Sequence, residues 1–111
     1  GLGRDPKQVD HEFLSETATY FYELAATRGS GKAQYALARR ATNRNDEDAA
    51  LKWLEQAAAN DHPHATYQLG RSYYEGRSVR ADPDKGLSLI RRASALGDEW
   101  ATYWLEQNAP R

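Results

Sequence analysis

Residues 65–86, ATYQLGRSYYEGRSVRADPDKG, combine an apolar helical pattern with turn and cap signals. Ala65, Leu69 and Tyr73 fall at helical spacing, and a glycine, Gly70, sits inside that apolar pattern. Gly76 then ends the pattern, a basic loop with Arg77 and Arg80 follows, and Asp82-Pro83 offers an N-cap with proline at the first helical position. A catalytic loop and a joint between repeated helices would both use such residues. Spacing elsewhere in the chain separates the two.

Ala-x-Tyr-x-Leu occurs three times, as Ala33/Tyr35/Leu37, Ala65/Tyr67/Leu69 and Ala101/Tyr103/Leu105, at offsets of 65 − 33 = 32 and 101 − 65 = 36 residues. A second element alternates with it. At the same offsets Ala18, Ala50 and Gly86 coincide, as do Phe21, Trp53 and Leu89, and Ala25, Ala57 and Ala93. Ala50, Trp53, Leu54 and Ala57, and likewise Gly86, Leu89, Ile90 and Ala93, follow the i, i+3, i+4, i+7 rule. Asp46 and Asp82 start the second-type helices, and Ser30, His62 and Asp98 the first-type ones. Gly29 and Gly97 stand where left-handed C-caps would end a helix. The spacing predicts six helices near 11–28, 31–42, 46–60, 63–76, 82–96 and 98–108, with no strand. The expected core is Leu37, Trp53, Leu54, Leu69, Tyr73, Leu89, Ile90 and Leu105. Gly70, with Ala38 at its site one repeat earlier, lets the second helix of its pair approach closely. The opening stretch therefore reads as a joint, not as a catalytic loop.

Composition narrows function by exclusion. The 111 residues support one domain, and 15 Lys and Arg against 16 Asp and Glu leave a net charge of −1, so the basic excess of a nucleic-acid or anionic-membrane binder is missing. The lack of cysteine removes disulfides and thiolate chemistry. No apolar run reaches the length of a membrane span, so no direct membrane insertion is expected. With no methionine either, the chain is expected to be processed or excised from something longer, and residues 1–10 read as a linker or expression remnant.

Ala65, Tyr67, Leu69, Gly70, Tyr73, Gly76, Val79, Asp82, Lys85, Ala93 and Gly97 together resemble the Sel1-like repeat, a tetratricopeptide-like helix pair. Three positions depart from that pattern. Ser78 stands where the family usually has a second loop glycine, Gly86 replaces a helix alanine and Leu89 replaces the Trp. The copy from Ala33 is looser, because its loop TNRND is shorter and lacks the Gly and Val. The resemblance implies an all-α, right-handed α-solenoid of antiparallel helix pairs over residues 11–111: a preceding second helix at 11–28, a divergent repeat at 31–60, a Sel1-like repeat at 63–97 and a capping helix at 98–108. It implies a non-enzymatic scaffold that recruits a partner protein or peptide in bacterial envelope, virulence or signalling assemblies, with periplasm or envelope favoured over cytoplasm. The alternative is a regulatory or docking domain of a larger enzyme or polysaccharide-export complex.

Chemical motifs do not complete themselves. RGSGKAQ, from Arg28, resembles a phosphate loop, but the required first glycine would fall at Ala26 and Ala33 follows Lys32 where a hydroxyl is needed. His62 and His64 flank Pro63 without a third ligand nearby, which favours an N-cap and first-turn residue over a metal site. The acidic clusters at Asn45 to Asp48 and Asp82 to Asp84 sit at helix starts and offset the dipole. No catalytic, cofactor-binding or metal residue is assigned, and no cofactor is expected.

Surface remains. On the first-type helices, residues at i, i+4 and i+7 share a stripe that would line the concave side: Tyr35, Arg39 and Thr42, then Tyr67, Arg71 and Tyr74, then Tyr103 and Gln107. Tyrosine and arginine are hot-spot residue types. Tyr35, Arg39, Tyr67, Arg71 and Tyr74 are the candidates on this face, although the resemblance implies that the motif tyrosines also pack between repeats. The arginines, Arg91 and Arg92 included, are either solvated or pair with an acidic partner. The last helix breaks the pattern: Glu106 occupies the small-residue site of Ala38 and Gly70, so the array is expected to end there. Trp100 and Trp104, one turn apart, are expected to form one apolar patch. That patch is either a cap over the preceding helix or an anchor for a partner or a second copy. In the second case a weak homodimer would form, with Phe13, Tyr20 and Leu24 of the first helix as the other half.

Overall fold

The computed structural model describes residues 6–108, with side chains from Glu16 onward. Six helices follow one another: α1 Pro6–Thr27, α2 Gly31–Asn43, α3 Glu47–Ala59, α4 Pro63–Glu75, α5 Pro83–Ala95 and α6 Glu99–Asn108. The described residues contain no strand. Boundaries agree with the sequence reading to within a residue or so, except that α1 starts ahead of residue 11. The linker assigned to residues 1–10 lies partly outside the described residues, as does the side chain of Phe13. The helices form an all-α repeat solenoid, elongated at 64 × 25 × 22 Å.

Four of the five joints share one design, and local backbone chemistry explains it. At the end of α1, Gly29 donates its N–H to the Ala26 carbonyl at 3.0 Å and Ser30 donates to Ala25 at 3.1 Å, which is a Schellman motif. The residue that closes the motif is itself the next N-cap: the Ser30 hydroxyl accepts from the Ala33 N–H at 3.1 Å. The same arrangement recurs around Asp46, His62 and Asp98, whose N–H groups reach the carbonyls of Ala41, Ala57 and Ala93 at 2.9, 3.0 and 3.0 Å. Their side chains accept from Ala49, Ala65 and Ala101 at 3.2, 3.1 and 2.9 Å. One residue therefore ends a helix and starts the next, which leaves the chain no choice but to turn back tightly. The position before it is left-handed every time, filled by Gly29, Asn45, Asp61 and Gly97. Asn and Asp tolerate that region because their short side chains bond locally, so two of these joints carry no glycine signal.

The fifth joint, between α4 and α5, is the longer loop of residues 76–82. Gly76 is left-handed at φ 73° and Ser78 at φ 63°, which accounts for a glycine at the latter site in the family pattern. The Asp82 N–H returns to the Tyr73 carbonyl at 2.8 Å and its carboxylate caps α5 at Lys85 N–H, 3.2 Å. Val79 is half-buried and stays outside the core clusters.

The core runs along the solenoid in three clusters. Ala26, Ala33 and Leu37 join α1 to α2. Ala38, Leu54, Ala57, Ala58, Ala65 and Leu69 join α2, α3 and α4. Tyr67, Ile90, Ala93, Ala101 and Trp104 join α4, α5 and α6. Of the expected core, Leu37, Leu54, Leu69 and Ile90 are buried. Trp53, Tyr73, Leu89 and Leu105 are half-buried and lean on the clusters. Alanines supply much of the buried surface, which is how short helices approach one another without large side chains between them. The closest approach is between α4 and α5. A Cβ on Gly70 would lie 2.8 Å from Ile90 Cγ1 and 2.9 Å from the Gly86 carbonyl oxygen, and one on Gly86 would lie 2.5 Å from the Tyr74 nitrogen. Gly70 and Gly86 are thus a matched pair, and the substitution of glycine for the family's alanine at 86 follows from that contact.

Candidate functional site

An open groove of about 800 Å³ lies between α2 and α4, floored by Ala50, Leu51 and Leu54 of α3. Tyr35, Arg39, Thr42 and Asn43 line it from α2, His64, Tyr67, Gln68, Arg71 and Ser72 from α4, and Arg77 and Ser78 from the α4–α5 loop. Helical spacing explains the α4 wall, since positions 64, 67, 68 and 71 share one face. His64 and Gln68 were therefore within reach of the periodicity that gave Tyr67 and Arg71, whereas Arg77 depends on how the loop folds back.

Near the N-termini of α2 and α4 the two walls meet in an aromatic cluster. The Tyr35 ring stacks on His62 at a centroid distance of 4.5 Å and meets His64 edge-on at 5.7 Å. Its hydroxyl accepts from Gln68 Nε2 at 3.1 Å. Tyr35 thus tiles one repeat onto the next while one edge faces the groove. His64 Nδ1 lies 3.1 Å from Asp98 Oδ1, so the buried carboxylate that caps α6 also holds a groove residue. His62 caps α4 through Nδ1, which must be unprotonated to accept. Burial first, and His64 second, hold His62 below the usual histidine range against the opposing pull of Asp98.

Farther along, charge dominates. Glu75 accepts from Arg71 Nε at 3.1 Å and from Arg77 Nε at 2.8 Å, so one carboxylate is shared by two guanidiniums. The bond to Glu75, and then that to the Tyr67 hydroxyl, raises Arg71 further above its already high range and keeps it charged. Arg39 is exposed on the facing wall and forms no ion pair among the described residues.

The residues singled out from sequence separate into two places. Tyr35, Arg39, Tyr67 and Arg71 come together in the groove. Tyr67 is only 8% exposed and serves the core with most of its ring. Tyr74 is not in the groove: its ring packs edge-on against Trp104 at 4.9 Å, beside the α4–α6 cluster. Nor do Trp100 and Trp104 form one patch. Trp104 is 8% exposed and belongs to the core, whereas Trp100 is 65% exposed. Residues four apart differ by about 40° around a helix axis, enough to turn Trp104 inward over α4 while Trp100 faces out. Tyr103, 60% exposed, and not Trp104, shares the outward side with Trp100. Tyr20 and Leu24 on α1 are exposed as well.

Among the described residues no group of three His, Cys, Asp or Glu side chains could hold a metal ion. No helix among them is long and apolar enough to cross a membrane.

A model of the Sel1 repeat matches residues 14–30, 31–62 and 63–98, so the match covers most of the chain and falls on part of α1 and then on the α2–α3 and α4–α5 helix pairs. The chain belongs to the Sel1 repeat family. Sel1 repeats are generally protein-interaction modules. A crystal structure of a Sel1 repeat protein from Oxalobacter formigenes has the same fold, with a TM-score of 0.74 and 32% identity, over 80% of this chain and 70% of that one. The alginate biosynthesis protein AlgK of Pseudomonas syringae pv. tomato is 37% identical over 62 residues, which is 56% of this chain and 13% of that protein. The chain thus spans a small part of that relative's length.

Proposed function

We propose that this chain is a non-enzymatic scaffold that recruits a partner protein or peptide through the groove between α2 and α4, within a bacterial envelope assembly. The observation that carries the reading is the groove itself. Tyr35, Arg39 and Arg71 border an open surface concavity, and they combine apolar area with hydrogen-bonding tips of the kind that dominates binding energy. The polar lining includes no nucleophile with a base and an orienting group, which favours binding over chemistry. The similarity to AlgK favours a second, narrower form of the same reading: a docking module in a polysaccharide-producing envelope complex. The exposed Trp100 and Tyr103 would then offer a secondary contact at the α6 end, to a partner or a second copy.

The test is affinity capture with the intact natural protein followed by mass spectrometry, run beside an Arg39→Glu variant. A partner retained by the parent and lost by the variant supports the groove. A partner retained equally by both moves the binding surface elsewhere.

A further inference from the structure

We infer that the groove between α2 and α4 selects an acidic peptide segment, one whose Asp or Glu side chains reach Arg39 on one wall and the Arg71–Arg77 pair on the other. This rests on the proposed binding role of the groove and adds the chemical class of its occupant. The chain as a whole carries a net charge of −1, so a cationic groove is a segregation of charge and not a general excess. Three guanidiniums line it, against Glu47 as the lining carboxylate. Glu75 neutralises only one of the two guanidiniums it joins, and that leaves the Arg71, Glu75 and Arg77 trio one positive charge in excess. Arg39 has no carboxylate of its own among the described residues. A guanidinium that already shares an acceptor keeps N–H groups free, because each carries five donors in a fixed fork. An incoming carboxylate therefore meets charge-assisted donors on both walls. The lining also offers Asn43, Gln68 and Thr42, amides and a hydroxyl that suit peptide backbone groups more than a dense run of charge. The Tyr35 ring and Leu51 supply the apolar contact that a peptide side chain can use.

Random dodecapeptides displayed on phage and selected against the immobilised chain supply the probe. Recovered peptides are ranked by Asp and Glu content relative to the starting library, then synthesised and titrated by fluorescence anisotropy. The expected result is strong enrichment of Asp and Glu, with affinity falling at least about tenfold in Arg39→Glu. Affinity should stay unchanged in Arg91→Glu, a reversal on the exposed side of α5. Neutral or apolar peptides that still depend on Arg39 would overturn the acidic class while leaving the groove as a binding site. Peptides indifferent to Arg39→Glu would overturn both. Displacement of the peptide by an oligogalacturonate of equal charge at lower concentration than by free peptide would overturn the peptide assignment in favour of an anionic polysaccharide.

Discussion

Gly70 and Gly86 show how single residues set the geometry of a repeat. Their missing side chains let α4 and α5 touch backbone to backbone, where the equivalent sites on α2 and α3 carry Ala38 and Ala50. Gly86→Ala would place a Cβ 2.5 Å from the Tyr74 nitrogen, a backbone atom that cannot rotate away. It is expected to cost about 1 to 3 kcal/mol by overpacking, and Gly70→Leu at least as much, both read as urea midpoints. A parent-like midpoint for either would mean that the helices separate freely. The two indoles of α6 make an equally sharp contrast. Trp104→Ala should cost about 3 to 5 kcal/mol, the range for deleting a buried aromatic, whereas Trp100→Ala should stay within about 0.5 kcal/mol. Equal losses from the two would restore the single patch. That patch is the natural reading of two Trp at i and i+4, because sequence spacing gives the 40° or so between them but not that the edge of the buried face of α6 falls inside that interval.

At the scale of the element, apolar burial holds the helices together and capping fixes where each one ends and the next begins. The four Schellman joints were half legible: Gly29 and Gly97 announce themselves, but Asn45 and Asp61 do the same work and look like ordinary polar loop residues. The His62 cap carries a pH consequence. Its Nδ1 must stay unprotonated to accept from the Ala65 N–H, and burial and His64 lower its proton affinity below the unfolded value of 6.5. Between the folded value and 6.5 the unfolded chain binds more protons than the folded one. Stability is therefore complete above 6.5 and falls as pH drops below it, levelling off once the folded histidine is protonated too. His64, Asp98 and the Tyr35 ring surround the group and set the size of the effect. His62→Asn keeps an N-cap acceptor and removes the titration, so its unfolding free energy should lose less than the parent's between neutral and mildly acidic pH. Parallel losses in the two proteins would assign the acid sensitivity to another group.

Over the whole molecule, the repeat was legible because Ala-x-Tyr-x-Leu marks a helix face that must meet its neighbour in the same way each time. The groove was legible only in part. Helical spacing puts Tyr35 with Arg39 on α2 and Tyr67 with Arg71 on α4, and the 32-residue repeat makes the two pairs equivalent. The exclusion of Tyr74 depends on where α6 lies, and the excess charge depends on a loop that brings Arg77 to Glu75. Those are contacts between elements, which periodicity within an element does not encode. The proposed role of the groove is to hold the partner of this Sel1-repeat chain. The most direct measurement is the dissociation constant of the captured partner for parent and Arg39→Glu protein, with circular dichroism melts run alongside. Arg39 is exposed and forms no ion pair among the described residues, so the melt should not move, while the affinity should fall at least about tenfold. An unchanged dissociation constant with an unchanged melt would place the partner outside the groove.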